Sequence, residues 1–252
     1  MTRFSFWAAS ALASCLLSTV IQAAGIPKAV SAAVADPARP QEDKDRDANR
    51  KPAEVVAFAG IKPGDKVVDL LAGGGYFTRI FSGGVGPKGK VYTVGFPPRP
   101  NAPAGAPNPL AAIAADPHYS NVTVVSGRVN ELTLPEPVDV IWTSDNYHDL
   151  HNAPGDIVPG FNKKMFDLLK PGGTFIVLDH AAEAGSGARD TNTLHRIDPA
   201  TVKTEVEAAG FVLDGQSDAL KNKDDPHTIG IRDASIRGKT DQFVLKFKKP
   251  KK

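Results

Sequence analysis

Two stretches of the 252-residue chain hold residue types at a spacing that can do chemistry. In the first, Lys66-Val67-Val68-Asp69-Leu70-Leu71-Ala72-Gly73-Gly74-Gly75-Tyr76-Phe77-Thr78, an acid stands four residues ahead of three successive glycines. The aliphatic residues before the glycines predict a short buried strand, and those after them open a helix. Bare glycines between the two let a ligand approach the main chain, and in an open parallel sheet the carboxyl end of a strand is where ligands sit. The same run also serves as a tight turn with no ligand at all. The second stretch is Asp145-Asn146-Tyr147-His148-Asp149-Leu150-His151. His148 suits a general base, because an imidazole titrates near working pH, and Tyr147 suits stacking on a substrate or a cationic ligand. Against this, Asn146 and Asp149 can simply cap a loop, with both histidines at the surface.

The position of the acid argues against a dinucleotide site. Such a site places its acid at the end of the second strand, about 20 residues on. Here Asp69 lies inside the first strand, and the second strand candidate, Lys90–Gly95, ends in glycine. Histidines and carboxylates at 148, 149, 151, 179, 180 and 195 are of the type transition ions use. Their irregular loop spacing and the lack of an assisting cysteine lead to the expectation that no metal is bound. His195-Arg196 could meet an anionic substrate group or form an ordinary salt bridge.

Several elements must position these residues. Pro52 fits the first position of a helix that Gly60 stops. Tyr76–Ser82 predicts a helix stopped at Gly83-Gly84. The proline-rich run Phe96–Pro109 cannot be regular structure and follows a strand end that faces the ligand, so it is either a cover or a stiff surface loop. Strands are predicted at Val122–Ser126, Val138–Thr143, Thr174–Asp179, Phe211–Asp214 and Gln242–Phe247. Helical spacing of Phe161, Met165, Leu168 and Leu169 predicts a helix from Asp156 to Lys170-Pro171-Gly172-Gly173, and another opens at Asp198-Pro199. Strands alternating with helices predict an α/β fold: a doubly wound, mostly parallel sheet of seven strands, with an antiparallel last strand.

Asp69 with Gly73 and Gly75 resembles the first motif of class I S-adenosylmethionine-dependent methyltransferases. Leu169-Lys170-Pro171-Gly172-Gly173, Asp145–Leu150 and Arg237-Gly238-Lys239-Thr240-Asp241-Gln242-Phe243 narrow the resemblance to an exported bacterial group of predicted methyltransferases, from about Asp47 to the end. The resemblance implies a Rossmann-like fold and S-adenosyl-L-methionine as cofactor. It places Asp69, Ala72, Gly73, Gly74 and Gly75 against the methionine and ribose portions, with Asp145 and Asn146 beside them. Asn130 stands where an adenine partner is expected, and Tyr147 could face the sulfonium. Gly95 departs from the pattern, which has an acid there for the ribose. Two functions follow: methyl transfer to a small-molecule acceptor, or a scaffold that has lost the cofactor and acts as a binding protein or a metal-assisted hydrolase.

The chain is long enough for one substantial core, and 30 Lys and Arg against 28 Asp and Glu imply no nucleic-acid partner. Residues 1–24 read as an export signal, with Arg3, the apolar Phe4–Val20 and a small-residue processing site at Gln22-Ala23-Ala24. The stretch is short and serine-broken for a permanent span, which needs roughly 20 apolar residues. A periplasmic or secreted protein is expected. The sole cysteine, Cys15, falls within that signal, where Leu12-Ala13-Ser14-Cys15 also resembles a lipoprotein box. Residues 25–50, rich in Ala, Pro and charge, are expected to be a disordered tether, which leaves 51–252 as the folded domain.

Overall fold

The computed structural model describes residues 25–96 and 108–251. The expected export signal and most of the proline-rich run lie outside them. In chain order the elements are α1 (Lys28–Val34), α2 (Gln41–Lys44), α3 (Asp47–Arg50), α4 (Pro52–Ala59), β1 (Lys66–Leu70), α5 (Tyr76–Val85), β2 (Lys90–Val94) and α6 (Pro109–Ala115). They continue with β3 (Val122–Val125), β4 (Val138–Ser144), α7 (Val158–Leu168), β5 (Leu169–His180), α8 (Pro199–Ala208), β6 (Val212–Ser217) and β7 (Gln242–Lys248).

The seven strands form one sheet in the order β3-β2-β1-β4-β5-β7-β6. β1 to β5 run parallel, with Val67 beside Val91 on one side and Val140 on the other. β7 is antiparallel to both β5 and β6. Alternate residues of each central strand feed two apolar layers. Val67, Trp142 and Ile176 pack under α1, α4, α5 and α6, while Val68, Ile141 and Val177 pack under α7 and α8. A sheet buried on both faces needs such near-continuous apolar strands.

Strand order reverses between β1 and β4, so the loops leaving their carboxyl ends diverge. That opens the crevice in which doubly wound sheets bind ligands. Both chemically rich stretches emerge there: the glycine turn after β1 and Asp145–His151 after β4.

Four expectations are corrected. The segment 25–50 is not a disordered tether: Val30 and Ala33 are buried against α5, Arg39 pairs with Asp47 of α3, and Asp43 of α2 pairs with Arg79 of α5. α5 does not stop at Gly83, because the missing side chain there lets α1 in; a Cβ would lie 2.8 Å from that of Ala33. Pro109, expected in an irregular run, is the first residue of α6, behind Asn108, whose side chain accepts from the N–H groups of Leu110 and Ala111. α7 starts at Val158, and Leu169 already pairs with Val138, so Lys170–Gly173 lies within the run of β5. Among the described residues no helix is long and apolar enough to cross a membrane.

Candidate functional site

β1 delivers the chain into a turn of unusual backbone. Leu71, Gly73 and Gly75 all have positive φ, at 49°, 55° and 80°. Left-handed backbone is costly for a branched side chain such as that of Leu71, and it persists only where surroundings over-determine it. The turn has two sides. A Cβ on Gly75 would lie 2.2 Å from Ile113 Cδ1, which would have to turn aside, and its φ of 80° favours glycine. Gly73 and Gly74 are exposed, and a Cβ on either meets nothing within 4 Å. They leave bare main chain at the carboxyl end of β1, with half-buried Ala72 beside them; Ala72 donates its N–H to Val94. Gly75→Ala is expected to cost about 1–3 kcal/mol through backbone strain and overpacking. Gly74→Ala should stay within about 0.5 kcal/mol of the parent in urea denaturation, since its added methyl points only into the space a ligand would use.

Asp69 does not line that space. Its carboxylate is 2% exposed and accepts from Thr78 Oγ1 at 2.6 Å, and Thr78 in turn meets Thr93 on β2. Burial pushes its pKa up to about 7, against the hydrogen bonds of Thr78 and the charge of Arg50. The acid therefore ties β1 to the first turns of α5 and sets the shape of the glycine turn from behind. This corrects the expectation that it contacts a ligand directly.

Residues 36–50 wall the turn on its amino-terminal side. Arg79 Nη1 donates to Gly74 O at 2.9 Å and to Asp43 at 3.0 Å. Buried Arg39 forks onto Asp47, which also accepts from the Tyr76 hydroxyl at 2.6 Å. Burial and the Asp47 charge push the Tyr76 pKa well up. Arg50 lies 4.6 Å from the Tyr76 ring centre and reaches across to Asp145 Oδ2 at 3.1 Å. Nothing in the sequence pattern marks Arg50 except its place ahead of the Pro52 helix.

After β4 the structure separates what the sequence groups. Asp145 is at the rim, with φ +60°, its carboxylate shared by Arg50 and Gln242. Asn146 is buried: it accepts from Thr143 Oγ1 and donates to Ser144 O and Leu70 O, so it joins β4 to β1 and is not a ligand contact. Tyr147 is fully buried on the opposite layer, its hydroxyl between Asn162 and Glu205, with Phe161 at its ring. It cannot stack on a ligand, which corrects its proposed catalytic role. Tyr147 lies three residues beyond the end of β4, past the left-handed Asp145, where the chain has turned its ring into the layer under α7 and α8.

His148 is buried but polar on both sides. Its Nδ1–H is donated to Asp179 Oδ1 at 2.8 Å, and its backbone N–H goes to Asp179 Oδ2 at 2.8 Å. That leaves the lone pair on Nε2, which looks onto Asp149 Oδ1 at 3.4 Å. Asp179, fully buried at the end of β5, is held below its ordinary pKa despite burial by His148, His180 and these N–H groups. His148 is correspondingly held above its ordinary value, Asp179 outweighing burial. His195 Nδ1 stands 3.8 Å from Asp149. His151 turns away to Glu205, and Asn130 is half-buried in the short 3-10 turn Val129–Glu131 at the far edge, after β3. Arg196 is committed to Asp225 in a fully buried pair and is not free for a substrate anion. The phrase before the last strand now has a role: Thr240 meets His180, and Gln242 meets Asp145.

No protein-family model matches the chain. Over 130 residues it is 27% identical to the demethylmenaquinone methyltransferase of Symbiobacterium thermophilum, a match covering 50% of this chain and 47% of that enzyme. The match therefore spans about half the length of this curated relative. Among solved structures, it is similar to a SAM-dependent methyltransferase from Aquifex aeolicus, with TM-score 0.57 and 20% identity over 84% of this chain and 98% of the other. It is similar also to the glycopeptide N-methyltransferase MtfA complexed with S-adenosyl-L-methionine, with TM-score 0.51 and 16% identity over 77% and 85%.

Proposed function

We infer, from a chain with the fold of the class I S-adenosylmethionine-dependent methyltransferases, that it transfers the methyl group of S-adenosyl-L-methionine to a small-molecule acceptor. One observation carries the reading: open main chain at Gly73-Gly74 at the carboxyl end of β1, with the partly exposed Arg50–Asp145 pair at the end of neighbouring β4. The amino-acid end of the cofactor is a zwitterion, and Arg50 and Asp145 offer one complementary charge to each of its ends. Both groups are partly buried and mutually oriented, which lowers the cost of binding. When bound, the cofactor would supply a methyl group on a sulfonium, which a nucleophile of the acceptor would take in line as the sulfur leaves as the thioether of S-adenosylhomocysteine. The chain's contribution is alignment, and a well-oriented pair of reactants gains most from that. Asn130 and Phe96, the latter 54% exposed beside Gly95, offer the adenosine half a polar and an apolar contact.

Calorimetric titration with S-adenosylmethionine and S-adenosylhomocysteine tests the reading. Arg50→Ala and Asp145→Asn should each weaken binding about 30- to 100-fold, the worth of a charge-assisted contact of about 2–3 kcal/mol. Gly95 favours the second reading, a scaffold without the cofactor, since no acid awaits the ribose. If the unaltered chain binds neither nucleoside, that second reading prevails. Export to the periplasm or beyond remains part of the proposal, supported by Arg3 and the apolar run Phe4–Val20.

A further inference from the structure

We propose that His148, Asp149 and His195 form a site for a divalent first-row transition ion of the zinc type. The geometry that carries it is their convergence: one ligand atom from each, all within 4.8 Å of one another, on the carboxyl-end rim beside Asp145. Two imidazoles and a carboxylate are a donor set that such ions take, with further positions left for solvent or substrate.

Three further features separate this cluster from a chance meeting of polar side chains. His148 is held as a metal-binding imidazole is held: the ring nitrogen facing away from the cluster donates to a buried carboxylate, Asp179, fixing the other nitrogen as the lone-pair donor. Asp179 accepts in addition from the backbone N–H groups of His148 and His180, so the carboxylate itself cannot swing. His195 has φ +55°, a conformation a histidine holds only against strain, and this brings its ring to 5.5 Å from that of His148. The contacts of 3.4 Å and 3.8 Å onto Asp149 are close to the separation of about 3.3 Å between two ligands each about 2.0 Å from a tetrahedral ion. His195 is partly exposed and has room to bring its ring nearer that of His148.

The site goes beyond the methyl-transfer reading and stands without it. It also reassigns the Nε2 lone pair of His148, which an ion would occupy and a general base would need free. Sequence spacing argues against a metal because 148, 149 and 195 follow no helical period. The structure supplies the missing ligand from 46 positions further along the chain, in the loop after β5.

The test is equilibrium titration of the chelator-treated full chain with Zn2+, and with Co2+ followed by its visible absorption. One ion per chain is expected. His195→Ala and Asp149→Ala should weaken binding at least 100-fold, and Asp179→Asn about 10- to 100-fold with a shifted Co2+ spectrum. His151→Ala, at a histidine turned to Glu205, should leave it unchanged. His195 is partly exposed, so its alanine variant stays folded, which a thermal melt checks. Equal affinity in the parent and His195→Ala, or an equal loss in His151→Ala, would overturn the proposal.

Discussion

Arg196→Met lowers the unfolding free energy by about 3–5 kcal/mol, because it strips the counter-charge from a carboxylate that cannot reach water. Both side chains of the Arg196–Asp225 pair are fully buried. The guanidinium makes two bonds to Asp225, at 2.8 Å and 3.0 Å, and also donates to Ala181 O and Ile229 O. Asp225 accepts in addition from the N–H groups of His227 and Asp241, and these together hold its pKa below the ordinary value in spite of burial. The pair clasps the long excursion between β6 and β7 onto the loop after β5. Urea denaturation near neutral pH measures the loss. Asp225→Leu added to Arg196→Met should recover part of it, since the second change removes the orphaned charge. A loss below about 1 kcal/mol for the single variant would mean the pair is hydrated in solution.

Asp69→Asn should have a pH-dependent effect nearly as large. The folded-state pKa of Asp69 is raised by burial from 3.8 to about 7. A carboxyl whose folded value is raised binds its proton more tightly in the native chain. Its stabilising contribution is complete below the unfolded value and is lost as pH rises through the folded one. Asparagine keeps an oxygen for Thr78 and has no charge to bury. Between pH 5 and pH 8 the variant should therefore gain about 3 kcal/mol relative to the parent, whatever the fixed offset between the two. Denaturant midpoints at the two pH values read this directly. A variant-minus-parent difference that does not change with pH would show that Asp69 ionises freely in the folded chain.

Much of this was legible from local signals. The alternation of aliphatic strands with capped helices is imprinted every few residues, so Lys66–Leu70, Pro52–Ala59 and Pro199–Ala208 emerge where expected. What the sequence misassigns depends on partners far along the chain. Gly83 breaks a helix in isolation, but here it is the notch into which α1 fits. Residues 25–50 have too little apolar surface to fold alone, yet their arginines and aspartates find partners on α5. The glycine turn was readable because its backbone, left-handed at Gly73 and Gly75, calls for glycine. The Asp145–His151 stretch was readable as chemistry but not as geometry, since the left-handed Asp145 turns the chain after β4 so that Asn146 and Tyr147 are both buried while Asp145 and Asp149 stay partly exposed. Arg50, Asp179 and His195 complete the rim from three other places in the chain.

The wall built from residues 36–50 also bears on the speed of folding. Arg50 meets Asp145 95 positions on, and Asp43 meets Arg79 36 positions on. Loop-closure entropy must be met before such distant contacts repay it, so a crevice closed in this way makes the chain a slower folder than one whose walls come from neighbouring loops.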